Sequence, residues 1–309
     1  MFIGREEELK TLEEKIHSQA FEFGIIYGRR RIGKTSLLQE VIKRYGGIYF
    51  VATEMDLAYN IAQLSKTVTQ SFNDSYTFSN LEDIFSYLVG KSVAKRITLV
   101  LDEFTYLYAK EPGIQSILQK IIDQQLLNSG ITLLLSGSQV GLIEESLSYH
   151  KPLFGRATFT MQLKGFDYYD AAKFYPAYSY EDRIRMYSIF GGIPYYLSRI
   201  HDKKSIKENI IDLIIDKNAP FIEEVDHFLR QELRAISSYS AILYAISKGS
   251  TRLGEIDTKA KINNTGNTSK FLATLMKLDI VEKEICFGEK ENGKKTLYRI
   301  KDNFFNFYY

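Results

Sequence analysis

The chain has 309 residues, 45% hydrophobic and 25% charged, a balance ordinary for a globular protein with enough chain for two or three cores. Its formal net charge of +2 argues for no particular partner, although 12 basic and 8 acidic residues in the last 75 give that end a tilt suited to weak nucleic-acid contact. A single cysteine, Cys286, excludes a disulfide framework, the four histidines (His17, His150, His201, His227) make no metal-ligand cluster, and no apolar run is long enough to span a bilayer, so a cytoplasmic protein is expected.

The N-terminus, MFIGREEELK, is acidic and lacks a signal-peptide hydrophobic region. An apolar run, Phe23 to Tyr27, then reads as a strand, and Ser36 to Arg44 reads as a helix. Between them lies Gly28-Arg-Arg-Arg-Ile-Gly-Lys-Thr35, a complete G-x-x-x-x-G-K-[ST] sequence in the context that makes it work. The glycines let successive N–H groups curl around a phosphate, and the following helix points its positive end at the same anion. Gly28, Arg31, Ile32, Gly33, Lys34, Thr35 and Ser36 form the expected cradle for ATP or ADP. Lys34 is expected to reach the β- and γ-phosphates, and the Thr35 hydroxyl to ligate Mg²⁺. Some of Arg29, Arg30 and Arg31 are expected to face solvent or pair with the acidic N-terminal region.

Strand-like runs at Ile48–Val51, Ile97–Leu101, Ile131–Ser136 and Thr158–Met161 alternate with amphipathic stretches such as Tyr59–Phe72 and Ile114–Leu127. Alternation of this kind predicts an α/β domain whose parallel sheet is covered on both faces, with ligands at the strands' carboxyl ends. The run Ile97–Leu101 finishes in two carboxylates. Beside a phosphate loop, Asp102 would hold the hydration shell of Mg²⁺ and Glu103 would orient or deprotonate an attacking water. The next strand ends in Ser136-Gly137-Ser138, where a serine, Ser138 before Ser136, can sense a γ-phosphate, or simply favour a tight turn. Arg156, in Pro152-Leu-Phe-Gly-Arg156, has two readings: a cation for transition-state charge, or a surface arginine ahead of an edge strand.

From about Asp167 helical periodicity takes over, with helices expected at Asp167–Phe174, Tyr180–Phe190, Lys204–Ile215 and Pro220–Arg234. Gly191-Gly-Ile-Pro194 reads as a helix breaker. Residues 236–309 then read as three helices (Ile236–Ser247, Leu253–Lys261, Asn267–Leu278) and two strands (Ile280–Phe287, Thr296–Ile300) around a polar turn, the pattern of a winged helix-turn-helix. The expected boundaries are 1–165, 166–234 and 235–309.

The ordered series Phe2-Ile-Gly-Arg-Glu-Glu-Glu-Leu9, Gly28–Thr35, Leu99-Val-Leu-Asp-Glu-Phe104, Ser136-Gly-Ser138, Leu153-Phe-Gly-Arg156 and Gly191-Gly-Ile-Pro-Tyr-Tyr-Leu197 resembles the archaeal-type P-loop ATPases of the STAND class, relatives of AAA and origin-recognition ATPases. That resemblance covers the whole chain. It implies an ASCE-type sheet, with an extra strand between the loop strand and the acidic strand, then a helical lid and a winged helix. It also implies that Gly4 and Arg5 lie on the adenine side and that Pro194 of the lid touches adenine or ribose. The same family often continues into a nuclease-like domain, and the aromatic stretch Phe304–Tyr309 is expected either to mark a truncation before such a domain or to close the winged-helix core.

Three functions compete at this stage. The leading one is a slowly hydrolysing ATPase that acts as a nucleotide-dependent switch toward an unidentified protein partner or C-terminal domain. The second is an ATP-regulated DNA-binding protein, with Lys270 and Lys277 behind Asn267, Thr268 and Ser269 on the recognition helix, and Lys290, Lys294 and Lys295 on the wing. A nucleic-acid kinase is third, because no acceptor-binding motif follows the loop.

Overall fold

The computed structural model describes residues 2–262, 264–285, 287–288 and 296–309. These divide into two compact units, Met1–Leu163 and Lys164–Tyr309.

In the first unit, α1 (Glu6–Ile16) precedes β1 (Glu22–Tyr27), and α2 (Lys34–Tyr45) follows it. Then come β2 (Ile48–Val51), α3 (Leu57–Gln70), α4 (Leu81–Ser92) and β3 (Ile97–Asp102). The unit finishes with α5 (Thr105–Lys110), α6 (Ile114–Ile121), β4 (Ile131–Gly137), α7 (Val140–Ser146) and β5 (Phe159–Gln162). Among the described residues five strands pair in parallel in the order β2-β3-β4-β1-β5, so β4 is inserted between the loop strand and the acidic strand.

Every residue of β3 and β4 is buried, as strands covered on both faces require, whereas the edge strands β2 and β5 alternate. Phe23, Ile25, Leu99, Leu101, Leu133 and Leu135 share a core with Ile61 and Leu64 of α3, Ile84 and Leu88 of α4, and Leu118 of α6. The alternate residues Ile26, Val100 and Leu134 are buried on the opposite face, where α2 crosses. Gly24 lets the Phe159 ring lie over the β1–β5 pair: a Cβ there would come within 2.2 Å of that ring, which would have to move.

Two helices of the first unit show how local chemistry departs from simple periodicity. The α3 helix begins two residues early because the Asp56 side chain accepts from Tyr59 N at 2.7 Å. The stretch from Ile114 is α-helical only to Ile121 and continues through Ile122–Leu126 as a π-helical turn.

The second unit begins with α8 (Tyr168–Ala172), α9 (Tyr180–Phe190), α10 (Pro194–Leu197), α11 (Ile206–Ile210) and α12 (Glu224–Glu232). It continues with α13 (Ile236–Ser247), α14 (Leu253–Ala260), α15 (Thr265–Lys277), the antiparallel pair β6 (Val281–Glu284) and β7 (Leu297–Ile300), and α16 (Asn303–Tyr308). The glycine pair before Pro194 does more than break a helix: Gly192 O accepts from Phe166 N at 2.7 Å, and a Cβ at Gly192 would lie 1.9 Å from Phe166 O. The aromatic stretch from Phe304 is folded inward in part. Phe304 and Phe305 are fully buried, Phe304 against Phe190, Tyr196 and Phe221, and Phe305 against Phe228. Thus Phe304 and Phe305 pack on α9, α10 and α12 and the turn before it. Cys286, Lys290, Lys294 and Lys295 lie outside the described residues.

Candidate functional site: a phosphate loop facing two carboxylates

The register of the sheet sets the site. Tyr27 is level with Gly137, Leu101 with Leu135, and Val51 with Asp102, so β1, β3 and β4 end along one edge. From that edge β1 feeds the loop Gly28–Gly33, β3 delivers Asp102 and Glu103, and β4 delivers Ser136 to Ser138.

The loop curls through left-handed backbone at Arg31 (φ 67°) and Gly33 (φ 92°), turning successive N–H groups inward. Gly28 leaves no room for a side chain, since a Cβ would sit 2.5 Å from Leu163 O. Lys34 opens α2 with its side chain only 4% exposed, and its ammonium donates to Gly28 O at 2.8 Å and Arg29 O at 3.2 Å. Ile32 is buried, whereas Thr35 and Ser36 are exposed on the first turn. Gly4 and Arg5 also adopt left-handed backbone (φ 68° and 66°). The buried Arg5 guanidinium donates to Ile32 O at 3.1 Å and to Glu8 at 2.8 Å, so this segment braces the phosphate loop from outside.

Asp102 is fully buried and accepts four hydrogen bonds. Its Oδ2 accepts from Thr35 Oγ1 at 2.8 Å and from Tyr49 Oη at 2.5 Å. Its Oδ1 accepts from Ser136 Oγ and from Glu103 N at 3.0 Å. The Tyr49 hydroxyl is held well above the usual tyrosine range, by burial first and then by its bond to Asp102 and that carboxylate's charge. Glu103 occupies left-handed backbone at φ 54°, uncommon for a residue with a side chain. Its N–H bonds to Asp102 Oδ1 and Ser136 Oγ at 3.0 and 3.2 Å secure that turn, and Ser138 Oγ donates to Glu103 Oε2 at 2.7 Å.

Loop, two acids and two serines are therefore gathered in one place. The donor set is hard oxygen, a hydroxyl and a carboxylate, which fits Mg²⁺ shared with nucleotide phosphates. Among the described residues no group of three or more His, Cys, Asp or Glu is placed to cage a metal without such a phosphate.

Arg156 lies apart from this group. It precedes β5, whose neighbour Thr158 donates its N–H to Phe23 O near the start of β1, about 16 Å of strand from the phosphate loop. There its guanidinium makes a bidentate pair with Asp123 at 2.9 and 2.7 Å and caps Pro152 O at 2.8 Å. Pro194 opens α10 in the second unit. Tyr49 was missed by motif reading, because a tyrosine in a short edge strand carries no signature; its one clue was a polar tip two residues before the strand's end.

A profile of an ATPase domain found predominantly in Archaea matches residues 2–200. An uncharacterized protein of Methanocaldococcus jannaschii is 33% identical over 311 residues, an alignment covering 100% of this chain and 68% of that one. Among solved structures, a Walker-type ATPase of Pyrococcus abyssi superposes with a TM-score of 0.72 at 20% identity, covering 99% of this chain and 95% of its own. The ORC2 protein of Aeropyrum pernix, determined as ADPNP–ADP complexes, gives 0.60 at 14% identity, with 97% and 90% covered.

Proposed function

The chain belongs to the ATPase domain family found predominantly in Archaea, an ATP-binding P-loop ATPase, and on that premise we propose a division of labour within its site and a use for its second unit. Lys34 engages the β- and γ-phosphates, aided by the amides of residues 28–36. Thr35 and Asp102 hold Mg²⁺, Asp102 through water; when bound, the ion supplies charge neutralisation for the phosphates. Glu103 orients and deprotonates the attacking water, and Ser138 aims the Glu103 carboxylate. The observation that carries this reading is the Ser138–Glu103 bond beside the Thr35–Asp102 bond, which couples loop, acids and the end of β4.

Arg156 has no part in this chemistry. Arg156→Ala should leave ATP turnover within about twofold and cost under about 1 kcal/mol of stability, as for an exposed ion pair. A loss of turnover beyond tenfold, measured by phosphate release, would return it to the site.

The finer reading is a slow STAND-class switch of the cytoplasm, in which residues 166–234 act as a helical lid, with Pro194 toward the nucleotide base, and residues 235–309 as a winged helix. Nucleotide state, reported by Ser138, would set the exposure of the second unit to a partner protein. The test is amide exchange with ADP against ADPNP. Protection should differ in residues 164–309, and identical exchange there would reject the switch.

A second reading has one observation in its favour: Asn267, Ser269, Lys270, Ala273 and Lys277 are exposed on α15 while Thr268, Leu272 and Leu275 are buried. If α15 enters duplex DNA, affinity should fall with salt at a log–log slope of about −0.9 per phosphate contacted. Lys294→Ala with Lys295→Ala should flatten that slope by up to about 2. Fluorescence anisotropy that stays flat with duplex at low salt, with and without ATP, rejects DNA binding.

A further inference from the structure

Asp102 has no acceptor direction to spare. An ionised carboxylate offers about four lone-pair directions, and here Thr35 and Tyr49 take those of Oδ2 while Ser136 and Glu103 N take those of Oδ1. The two donors on Oδ2 differ in character. Thr35 is exposed on the first turn of α2, and its hydroxyl turns freely about one bond, so it can swing toward a cation and leave its direction on Oδ2 to a hydration water. Tyr49 is anchored in β2, where it shares a sheet face with Val51, the residue level with Asp102. Two residues of strand rise about 6.6 Å, the reach of a phenol, so the ring delivers its hydroxyl to Asp102 from a fixed base.

We infer that Tyr49 is a positioning residue that keeps one direction of Asp102 Oδ2 filled, so that Asp102 meets a divalent cation through hydration water and the site favours Mg²⁺ over larger cations such as Ca²⁺. The chemistry follows from the ions. Mg²⁺ gives up water reluctantly and is content with a carboxylate at second hand, whereas Ca²⁺ gathers six to eight oxygens and takes carboxylates directly, often with both oxygens. A carboxylate clamped by a phenol on one oxygen, and by Ser136 and a backbone N–H on the other, resists that second mode. No other acidic cluster among the described residues offers a compensating ligand set. The inference rests on the Mg-nucleotide reading of Thr35 and Asp102 above.

The test is calorimetric titration of the full chain with ADPNP in Mg²⁺, in Ca²⁺ and in chelator, for wild type, Tyr49→Phe and Tyr49→Met. Phenylalanine keeps the ring and methionine fills the space without a donor, so one folded variant, checked by its melting curve, suffices. Both should raise the ratio of Ca²⁺- to Mg²⁺-supported affinity by about fivefold, the scale of one hydrogen bond. An unchanged ratio in a folded variant, with wild-type affinity metal-dependent, overturns the role of Tyr49 alone. Wild-type affinity that is the same in chelator overturns the reading of the metal site, and the inference with it.

Discussion

Lys34→Ala will weaken ATP binding by at least about tenfold, or about 1.4 kcal/mol, and abolish turnover with it. The ammonium is folded into the curl of the loop, donating to Gly28 O and Arg29 O from a side chain only 4% exposed. A phosphate entering the curl meets that charge at short range and away from bulk water, where charge-assisted hydrogen bonds contribute about 1.5–3 kcal/mol each. Alanine removes the charge and leaves the amides of residues 28–36 to hold the anion alone. Calorimetry on a folded variant decides the matter, and unchanged affinity ends the phosphate-loop assignment.

The second large effect is on chemistry rather than binding. Glu103→Gln should bind ATP as wild type does and lose turnover by about 10²–10⁴, the range of a removed general base. Glutamine fits the same left-handed turn and can still accept from Ser138, so geometry is kept and only proton transfer is lost. Asp102→Ala should act differently, impairing Mg²⁺-dependent affinity while leaving whatever binding survives in chelator. Single-turnover phosphate release from purified variants separates the two. Equal turnover by Glu103→Gln and wild type would mean that another group takes the proton.

Much of this site was legible because its chemistry is local in sequence. The phosphate loop needs glycines at fixed intervals, and the acidic pair needs only an apolar strand before it, so Gly28 to Thr35, Asp102 and Glu103 stood out without any fold. The strands were equally plain, since β3 and β4 are buried on both faces and read as unbroken apolar runs. What escaped was tertiary. Tyr49 matters because β2 lies beside β3, and nothing within Ile48–Val51 reports that adjacency. The Arg5 guanidinium also donates to Ile32 O, a contact spanning 27 residues that no local pattern encodes. Arg156 was ambiguous for the same reason, because its distance from the loop depends on β5 running parallel to β1. The π-helical turn at Ile122–Leu126 keeps the apolar periodicity of an ordinary helix and so gave no warning.

The burial of Phe304 also has a consequence for how the chain comes off the ribosome. Asn303 donates to Tyr187 O across 116 residues, and Phe304 fills the space among Phe190, Tyr196 and Phe221. The first unit, Met1–Leu163, is compact by itself. Phe304, which completes the packing of Phe190, Tyr196 and Phe221, is translated on the order of ten seconds after residue 163. During that interval Phe190, Tyr196 and Phe221 lack the ring that covers them in the folded chain, and a ribosome stalled before Asn303 would leave them as apolar surface open to a chaperone.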